Sequence, residues 1–253
     1  MIAAFHLNQT RAWTLAHPEL PLSTDQVQEL NSLLSQLVKG TPLPYLTRTQ
    51  EFYGLQFSVN PAVLIPRPET ELLVEQALAW LQAHPQHRLA TDIGTGSGCI
   101  AVTLARHIPD LRMIASDISF PALQTARKNA CAHAVSSRIQ PIQTDLLTSI
   151  STCFGLVCAN LPYIPTATLQ DLAVARHEPN LALDGGEDGL DAIRRLLADA
   201  PRWLAPGGLL LLEIENRQGK AAADLAQEAF ASAQVQVLQD LAGHDRLVCV
   251  ERT

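Results

Sequence analysis

Residues 89–107, LATDIGTGSGCIAVTLARH, decide the fold of this chain. An apolar run over 89–93 predicts a short strand, and residues 98–107 have the apolar spacing of a helix. The turn between them is rich in glycine, which lets the backbone bend sharply and leaves room for a ligand against it. It reads Asp92-Ile93-Gly94-Thr95-Gly96-Ser97-Gly98. Because the start of the helix adds unpaired N–H donors, the segment predicts a site for a small nucleoside-bearing cofactor.

The spacing of the glycines limits that interpretation. The turn has the form G-x-G-x-G, whereas the dinucleotide fingerprint is G-x-G-x-x-G. Cys99 follows Gly98, so no pyrophosphate loop is completed. A glycine turn alone also fits a tight strand-to-helix connection that binds no ligand, and other residues must decide between the two.

Around this segment, short apolar runs alternate with helical patterns from residue 89 to the end. Such alternation predicts an α/β fold with a mostly parallel sheet and helices on both faces. The last two strands are joined by a short link containing Gly243, which predicts a closing antiparallel hairpin. The predicted strands are 89–93, 111–116, 138–143, 154–160, 208–214, 235–241 and 247–250, and the predicted helices are 98–107, 121–130, 190–204 and 220–231.

The first 88 residues do not show this alternation of strands and helices. A helix is predicted from about residue 24 to 39, with Ser23, Thr24 or Asp25 as its cap. Residues 51–65 predict two short strands, and a second helix is predicted after the Pro-Arg-Pro segment 66–68. We expect a domain boundary between residues 83 and 88, which divides the chain into a small helical domain with a β-hairpin linker (1–85) and a cofactor-binding domain (86–253).

Composition and charge exclude several classes of protein. Of the 253 residues, 47% are hydrophobic and 17% charged, so the chain is too apolar for intrinsic disorder. No apolar stretch has the 18 or so residues of a membrane helix, and the N-terminus lacks the features of a secretory signal, so we expect a cytoplasmic protein. The net charge of −7 argues against affinity based on neutralising nucleic-acid phosphates.

The cysteines fit a reducing compartment. They are odd in number and form no C-x-x-C pair, so we expect free, buried thiols and no metal site. The five are Cys99, Cys131, Cys153, Cys158 and Cys249.

Acidic residues close the second and third predicted strands. Asp117 ends the second strand, where a carboxylate can accept hydrogen bonds from both ribose hydroxyls of a nucleoside held by the glycine turn. It could instead cap the next helix, a role that Ser119 could also fill. Asp145 ends the third strand, where it could meet the adenine amino group while Leu146 covers the ring. Strand-end acids in this order favour a nucleoside site.

The segment Asn160-Leu161-Pro162-Tyr163 indicates the chemistry. It follows a strongly apolar strand, at the carboxyl edge of the sheet where ligands of such folds bind. The Asn160 side-chain oxygen and the Leu161 carbonyl are two acceptors that can hold an –NH2 group between them. Pro162 stiffens the segment, and the Tyr163 ring can stack on a planar amide or base. Asn-x-Pro is also an ordinary turn sequence, so the glycine turn and the acids are needed for the functional interpretation.

Taken together, these motifs resemble the S-adenosylmethionine-dependent methyltransferases with an N-P-P-Y-type motif, and specifically the HemK-like family of release factor glutamine methyltransferases. The resemblance covers about 210 residues. The most specific segments are IPRPETE from Ile65 and HEPNLALDGGEDGLD from His177, because the glycine turn is shared by most methyltransferases. The other matching segments are DIGTGSGCIA from Asp92, ANLPYIP from Ala159, LAPGGLLLLEIENRQG from Leu204 and DLAGHDRLVCVER from Asp240.

The resemblance implies a Rossmann-like methyltransferase fold preceded by a docking domain, with S-adenosylmethionine as cofactor and class I peptide chain release factors as protein substrates. It implies that the amide nitrogen of the glutamine in a Gly-Gly-Gln motif is methylated, with Asn160 and Tyr163 as catalytic residues. Asn160, Leu161, Pro162 and Tyr163 would hold the glutamine. Cofactor contacts would come from Gly94, Thr95, Gly96, Ser97, Gly98, Asp117, Leu146 and Asn160.

Two departures from the family pattern stand out. Leu161 replaces the first proline of N-P-P-Y, but its backbone carbonyl can still accept a hydrogen bond. The helical front domain is expected to lack one or two of the helices that the family usually has. No separate base is demanded by the motif, although His177 and Glu178 are candidates for taking up the proton.

Two other methyltransferase classes stay open at this point. A ribosomal-protein glutamine methyltransferase would share nearly all of these motifs. An exocyclic-amine DNA methyltransferase would use the same asparagine and aromatic residue, but it must flip a base and usually carries a basic recognition domain. We therefore expect neither membrane association nor direct nucleic-acid binding.

Overall fold

The computed structural model describes residues 1–253. The chain begins with four helices and a hairpin, where the sequence predicted one helix before the hairpin. Three of the helices have five or six residues, too few to show a helical period. These elements are α1 (Ile2–His6), α2 (Arg11–Ala16), α3 (Thr24–Val38), α4 (Leu43–Thr47), β1 (Thr49–Phe52) and β2 (Leu55–Ser58).

Helix α3 is the predicted front helix, and its start is well defined. The Ser23 hydroxyl accepts from the Gln26 N–H, and the Gln26 side chain accepts from the Ser23 N–H, which is a capping box. None of its 15 residues is buried, although the apolar ones follow a helical spacing. No helix in the protein combines the length and apolar character needed to cross a bilayer.

The remaining elements form the predicted α/β unit, and the fold class is confirmed. Helix α5 (Glu71–Ala83) follows a short 3-10 turn at Pro68–Thr70. The bounds of the predicted elements differ from the observed ones by at most four residues, with β3 identical and the largest difference at β7, which begins at Leu204; the short helix α8 was not predicted. The elements are β3 (Leu89–Ile93), α6 (Cys99–His107), β4 (Arg112–Asp117), α7 (Phe120–Ala132), β5 (Ile139–Gln143), β6 (Phe154–Ala159), α8 (Thr166–Leu169), α9 (Asp191–Trp203), β7 (Leu204–Glu213), α10 (Gly219–Ala229), β8 (Gln234–Gln239) and β9 (Asp245–Glu251).

The seven-stranded sheet has the order β5-β4-β3-β6-β7-β9-β8. The first five strands are parallel, and β9 pairs antiparallel with both β7 and β8, as the closing hairpin predicted. Strand order reverses between β3 and β6, because β4 and β5 lie on one side of β3 and the later strands on the other. Such a switch point opens a crevice at the carboxyl ends of the strands.

Both faces of the sheet are buried. One core holds α5 and α6, together with Phe52 and Phe57 of the hairpin, and the other holds α9 and α10. Residues on both sides of the predicted boundary at 83–88 therefore pack in one core. The division into 1–85 and 86–253 stays a prediction.

The expectation of buried thiols is wrong for two of the five cysteines. Cys99 and Cys158 are buried and Cys249 is half-buried, whereas Cys131 and Cys153 are exposed. Cys131 lies in the last turn of α7, and Cys153 precedes β6 and donates to the Arg202 carbonyl at 3.3 Å. An apolar sequence neighbourhood does not bury a residue on the outer face of a helix or in a connecting loop.

One buried amide ties the hairpin to the glycine turn. Asn129 of α7 is 1% exposed. Its Oδ1 accepts from the Ser58 N–H at 2.8 Å, and its Nδ2 donates to the carbonyls of Ser58 at 2.9 Å and Ser97 at 2.8 Å. Three elements distant in sequence thus share one side chain.

We predict that Asn129→Ala destabilises the protein by about 2–4 kcal/mol, because it leaves one buried N–H and two carbonyls without partners. Chemical denaturation gives the measurement, with Lys128→Ala on the exposed side of α7 as the control. An Asn129→Ala midpoint equal to that of the control would show that the amide does not stabilise this junction.

Candidate active site

A cleft opens at the carboxyl edge of the sheet, at the switch point. Its atom-free space, including the open mouth, is ≈ 1190 Å³. The cleft brings together nine of the eleven predicted site residues: Gly94, Thr95, Gly96, Ser97, Asp117, Leu146, Asn160, Leu161 and Pro162.

The strand register explains why they meet. Ile93 of β3 is opposite Ser116 of β4 and Ala159 of β6, and Ala159 is opposite Leu212 of β7. The residues one position further along are Asp117, Gly94, Asn160 and Glu213. They form a row across four adjacent parallel strands, which we call the strand-end row.

The glycine turn depends on backbone conformations that glycine adopts without strain. Gly94 and Gly96 have φ values of 70° and 54°. The Gly96 N–H donates to Asp117 Oδ2 at 2.9 Å, and the Thr95 N–H to the Ser116 carbonyl at 2.9 Å. The turn is thereby fastened to the end of β4.

Gly98 does not line the cleft. It has a φ of 80° and precedes α6, and a Cβ atom there would lie 3.0 Å from the Cβ of Ala126 in α7. Close packing of the two helices accounts for this glycine. Its predicted cofactor contact stays a prediction.

The Asp92 side chain is hydrogen-bonded to the glycine turn and to the first turn of α6. It is fully buried, and its Oδ2 accepts from the Thr95 hydroxyl at 2.6 Å and the Ala101 N–H at 3.2 Å. Burial raises the pKa of this carboxyl to about 6, with the two hydrogen bonds acting in the opposite direction. Its Oδ1 is buried without a hydrogen-bond partner.

Asp117 is a cleft residue rather than a helix cap. Ser119 fills the capping role, since its hydroxyl accepts from the Ala122 N–H at 3.3 Å. The Asp117 oxygens accept from the N–H groups of Gly96 and Ser119, at 2.9 and 2.8 Å. Burial raises the pKa of Asp117, and these hydrogen bonds oppose the rise. The carboxylate is therefore held rigidly at the cleft wall.

Asp145 and Leu146 lie at the far side of the cleft. Asp145 forms an exposed ion pair with Arg195 of α9, a partner that the sequence gave no reason to expect. Leu146 has a φ of 53°, the left-handed region that a leucine rarely adopts. Its place in the cleft wall agrees with the expected position, and its contact with an adenine ring stays a prediction.

Asn160 presents an unused acceptor at the cleft edge. Its Nδ2 donates to the Thr70 hydroxyl at 3.0 Å, while no group of the protein donates to its Oδ1. The Leu161 carbonyl likewise accepts no hydrogen bond from the chain. The Leu161 side chain is buried and packs against Gly94. Two acceptors on consecutive residues are thus available to a ligand.

Tyr163 does not line the cleft, but its backbone is tightly held. Its carbonyl accepts from the Gln218 side chain at 3.0 Å, and a Cβ atom on Gly189 would lie 2.2 Å from the same oxygen. Ile164 bridges to Asp184. Burial raises the pKa of the Tyr163 hydroxyl, so it stays protonated. The glycine-rich segment DGGEDG therefore cradles the Asn-Leu-Pro-Tyr segment.

Glu178 is fully engaged as a structural residue. Its Oε2 accepts from the Ile65 N–H at 3.0 Å and its Oε1 from the Arg67 guanidinium at 2.5 Å. His177 lies against Gly40 in the front part of the chain, where a Cβ atom would come within 2.9 Å of its Nε2. Neither residue lines the cleft. Glu178 instead anchors the IPRPET segment beside it.

Sequence reasoning missed four residues around Asn160: Arg67 and Thr70 in the IPRPET segment, Glu213 at the end of β7, and Gln218. Glu213 is 3% exposed, and its Oε2 is buried without a partner. One signal could have found it, because it is an acid that ends an apolar strand, as Asp117 is. Thr70 gave no such signal, since its contact with Asn160 spans 90 residues.

Comparison with known families covers both parts of the chain. Residues 1–47 match the PrmC N-terminal domain, and residues 69–176 match the methyltransferase small domain. A solved ribosomal protein L11 methylase from Lactobacillus delbrueckii subsp. bulgaricus has a TM-score of 0.56 at 19% identity and covers 81% of this chain and 90% of its own. A 16S rRNA methyltransferase of T. thermophilus, solved with AdoMet and guanosine, has a TM-score of 0.55 at 18% identity and covers 81% and 50%. At these identities the likeness shows the fold alone.

Closer relatives match nearly the whole sequence. The release factor glutamine methyltransferase of Moorella thermoacetica is 46% identical over 239 residues, which cover 94% of this chain and 84% of that protein. That of Nitratidesulfovibrio vulgaris is 39% identical over 252 residues, covering 95% and 85%. The resemblance drawn from the motifs is confirmed: this chain belongs to the release factor glutamine methyltransferase family.

Proposed function

We propose that this protein transfers a methyl group from S-adenosylmethionine to the side-chain amide nitrogen of the glutamine in the Gly-Gly-Gln motif of class I peptide chain release factors. The observation that carries the proposal is the pair of unused acceptors, Asn160 Oδ1 and the Leu161 carbonyl, at the edge of the cleft. An –NH2 group fits between two such acceptors. Family membership supports the substrate class.

The residues of the cleft fit the proposed cofactor. The glycine turn leaves open backbone beside a carboxylate whose position is fixed by two N–H donors, and a carboxylate can also accept from ribose hydroxyls. Gly94, Thr95, Gly96, Ser97, Asp117 and Leu146 would hold it. When bound, S-adenosylmethionine supplies a methyl group activated by the positive charge on sulfur.

The protein contributes orientation and electrostatics to the reaction. An amide nitrogen is a poor nucleophile because its lone pair is delocalised into the carbonyl. Holding it in line with the reacting methyl group can contribute roughly 7 to 11 kcal/mol. Asn160 Oδ1 and the Leu161 carbonyl also favour the positive charge that develops on the nitrogen, and this effect is stronger in the transition state than in the ground state.

A protein substrate suits the charge of the chain better than a nucleic acid does. The net charge of −7 gives no electrostatic affinity for phosphates. A glutamine at the tip of a loop can enter a narrow cleft without the unstacking that a flipped base requires. The rest of the release factor would dock on the front helices, and a cytoplasmic location follows from this substrate.

We predict that Asp117→Ala weakens S-adenosylmethionine binding by more than about tenfold, because a charge-assisted hydrogen-bond acceptor is lost from the cleft. Isothermal titration calorimetry measures the change. Asp224→Ala, on the exposed side of α10 and outside the cleft, is the control. Equal affinity of the Asp117→Ala protein and the control would contradict the cofactor assignment.

A second prediction concerns the two acceptors, Asn160 Oδ1 and the Leu161 carbonyl, that would hold the substrate –NH2 group. Asn160→Ala should abolish methyl transfer while leaving the thermal unfolding transition in place. Leu161→Pro keeps the accepting carbonyl, so it should retain turnover even though it loses buried packing of the leucine side chain. Retention of most of the wild-type turnover by Asn160→Ala would refute the mechanism.

A third prediction concerns the substrate. Incubation with labelled cofactor and purified class I release factor, ribosomal proteins or duplex DNA should label the release factor alone. Mass spectrometry should find the added mass of a single methylene on the glutamine of the Gly-Gly-Gln motif. Label on DNA or on a ribosomal protein alone would favour one of the rival classes.

A further inference from the structure

Behind Asn160 lies a buried acid that the reaction described above does not use. Ala159 of β6 is opposite Leu212 of β7, and Asn160 and Glu213 are the next residues on these two strands. Glu213 is therefore the neighbour of Asn160 in the strand-end row. The residue is 3% exposed, and Oε2 has no hydrogen-bond partner. A buried carboxylate without a full set of donors is costly, so its presence at this point calls for an explanation.

Thr70 connects this acid to the asparagine. The threonine is 2% exposed, and its hydroxyl accepts the hydrogen bond from Asn160 Nδ2 at 3.0 Å. A hydroxyl that accepts one hydrogen bond still has its own proton to donate. The Glu213 carboxylate lies close enough for Thr70 and Asn160 to lower its pKa, so it is the nearby acceptor towards which the Thr70 hydroxyl can turn its proton.

We propose that Thr70 and Glu213 are positioning residues that fix which end of the Asn160 amide faces the substrate. The inference rests on the proposed function, because it matters only if Asn160 Oδ1 holds a substrate –NH2 group. With the asparagine NH2 group donating inward, Oδ1 is left for the cleft. A flipped amide would place Oδ1 against the Thr70 hydroxyl oxygen and the Glu213 carboxylate. Because both of these groups act as acceptors towards Asn160, they disfavour the flipped state.

This selection depends on the ionised form of Glu213. A carboxylate only accepts, whereas a protonated carboxyl can donate to a flipped amide oxygen. Burial is the largest influence and raises the pKa of Glu213 to about 7, and Glu69 also raises it, whereas the hydrogen bonds and Arg246 of β9 lower it. Tyr163 and the Cys99 thiol also face the group, and both are held neutral by raised pKa values. The correct amide orientation should therefore gain population as the pH rises through about 7.

The first test needs neither cofactor nor substrate. Carbon-13 carboxyl NMR should show Glu213 titrating near pH 7 in the wild type and at higher pH in Thr70→Val, because the variant loses a hydrogen bond that favours the charged form. Thr103→Val is the matched control. It also removes a buried threonine hydroxyl, but one that has no hydrogen-bond partner, so it should leave the titration unchanged. An unshifted Glu213 titration in Thr70→Val would overturn the proposal.

The second test is kinetic. At saturating cofactor and release factor, Thr70→Val should lower kcat by about tenfold or more, and Thr70→Ser, which keeps the hydroxyl, should recover most of it. A Thr70→Ser variant as slow as Thr70→Val, or a change confined to KM, would refute a positioning role for the hydroxyl. Thr103→Val should keep the wild-type kcat.

The role of Glu213 is tested by the pH dependence of kcat. Wild-type kcat should rise with pH through about 7, and Glu213→Gln, of equal volume and without a titrating proton, should be slower and should lack this limb. An unchanged limb in Glu213→Gln would overturn the proposal, and this comparison also decides the matter if Thr70→Val does not fold. If the wild type methylates no release factor, the proposed function fails, whereas the NMR titration still reports on the Thr70 and Glu213 pair.

Discussion

The common register of four parallel strands is the constraint on which the rest of this structure depends. Because β4, β3, β6 and β7 end at the same level, the residues at or just beyond their ends form one row at the carboxyl edge: Asp117, Gly94, Asn160 and Glu213. Backbone hydrogen bonds of the parallel ladder hold neighbouring strands in this register. The Asp117 carboxylate, the glycine turn and the Asn160 side chain are thereby brought to one edge of the sheet by strand register alone.

Around this row, the protein keeps several carboxylates in low-polarity surroundings. Asp92 and Glu213 are both buried, and burial raises the pKa of each, to about 6 and about 7. Glu178, by contrast, is buried with both oxygens matched by donors from the IPRPET segment. Glu178 holds the IPRPET segment and Asp92 holds the glycine turn, whereas no hydrogen bond of the Glu213 carboxyl ties down a backbone segment.

The two motifs that are most specific to the family brace the Asn160 segment, and both also contribute to the cleft wall, through Arg67 in one and Leu181 in the other. The IPRPET segment carries Thr70 to the back of Asn160 and is anchored by Glu178. The DGGEDG segment lies so close to Tyr163 that a side chain at Gly189 would collide with its carbonyl. Two long connections thus contact the same short segment, Asn160 to Tyr163. The front helices add an exposed surface, since no residue of α3 is buried.

The sequence by itself determined the α/β fold, the glycine turn, the strand-end acids and the Asn160 to Tyr163 segment, because each leaves a local signal in periodicity or spacing. It also placed Glu178 and Asp145 near the site, but it could not assign their ion pairs with Arg67 and Arg195. Likewise it did not find the short helices α1 and α2 or the exposure of Cys131 and Cys153. Only the tertiary structure put Thr70 and Glu213 behind Asn160, because the Thr70 contact spans 90 residues and the Glu213 position depends on strand register, and neither leaves a pattern along the chain.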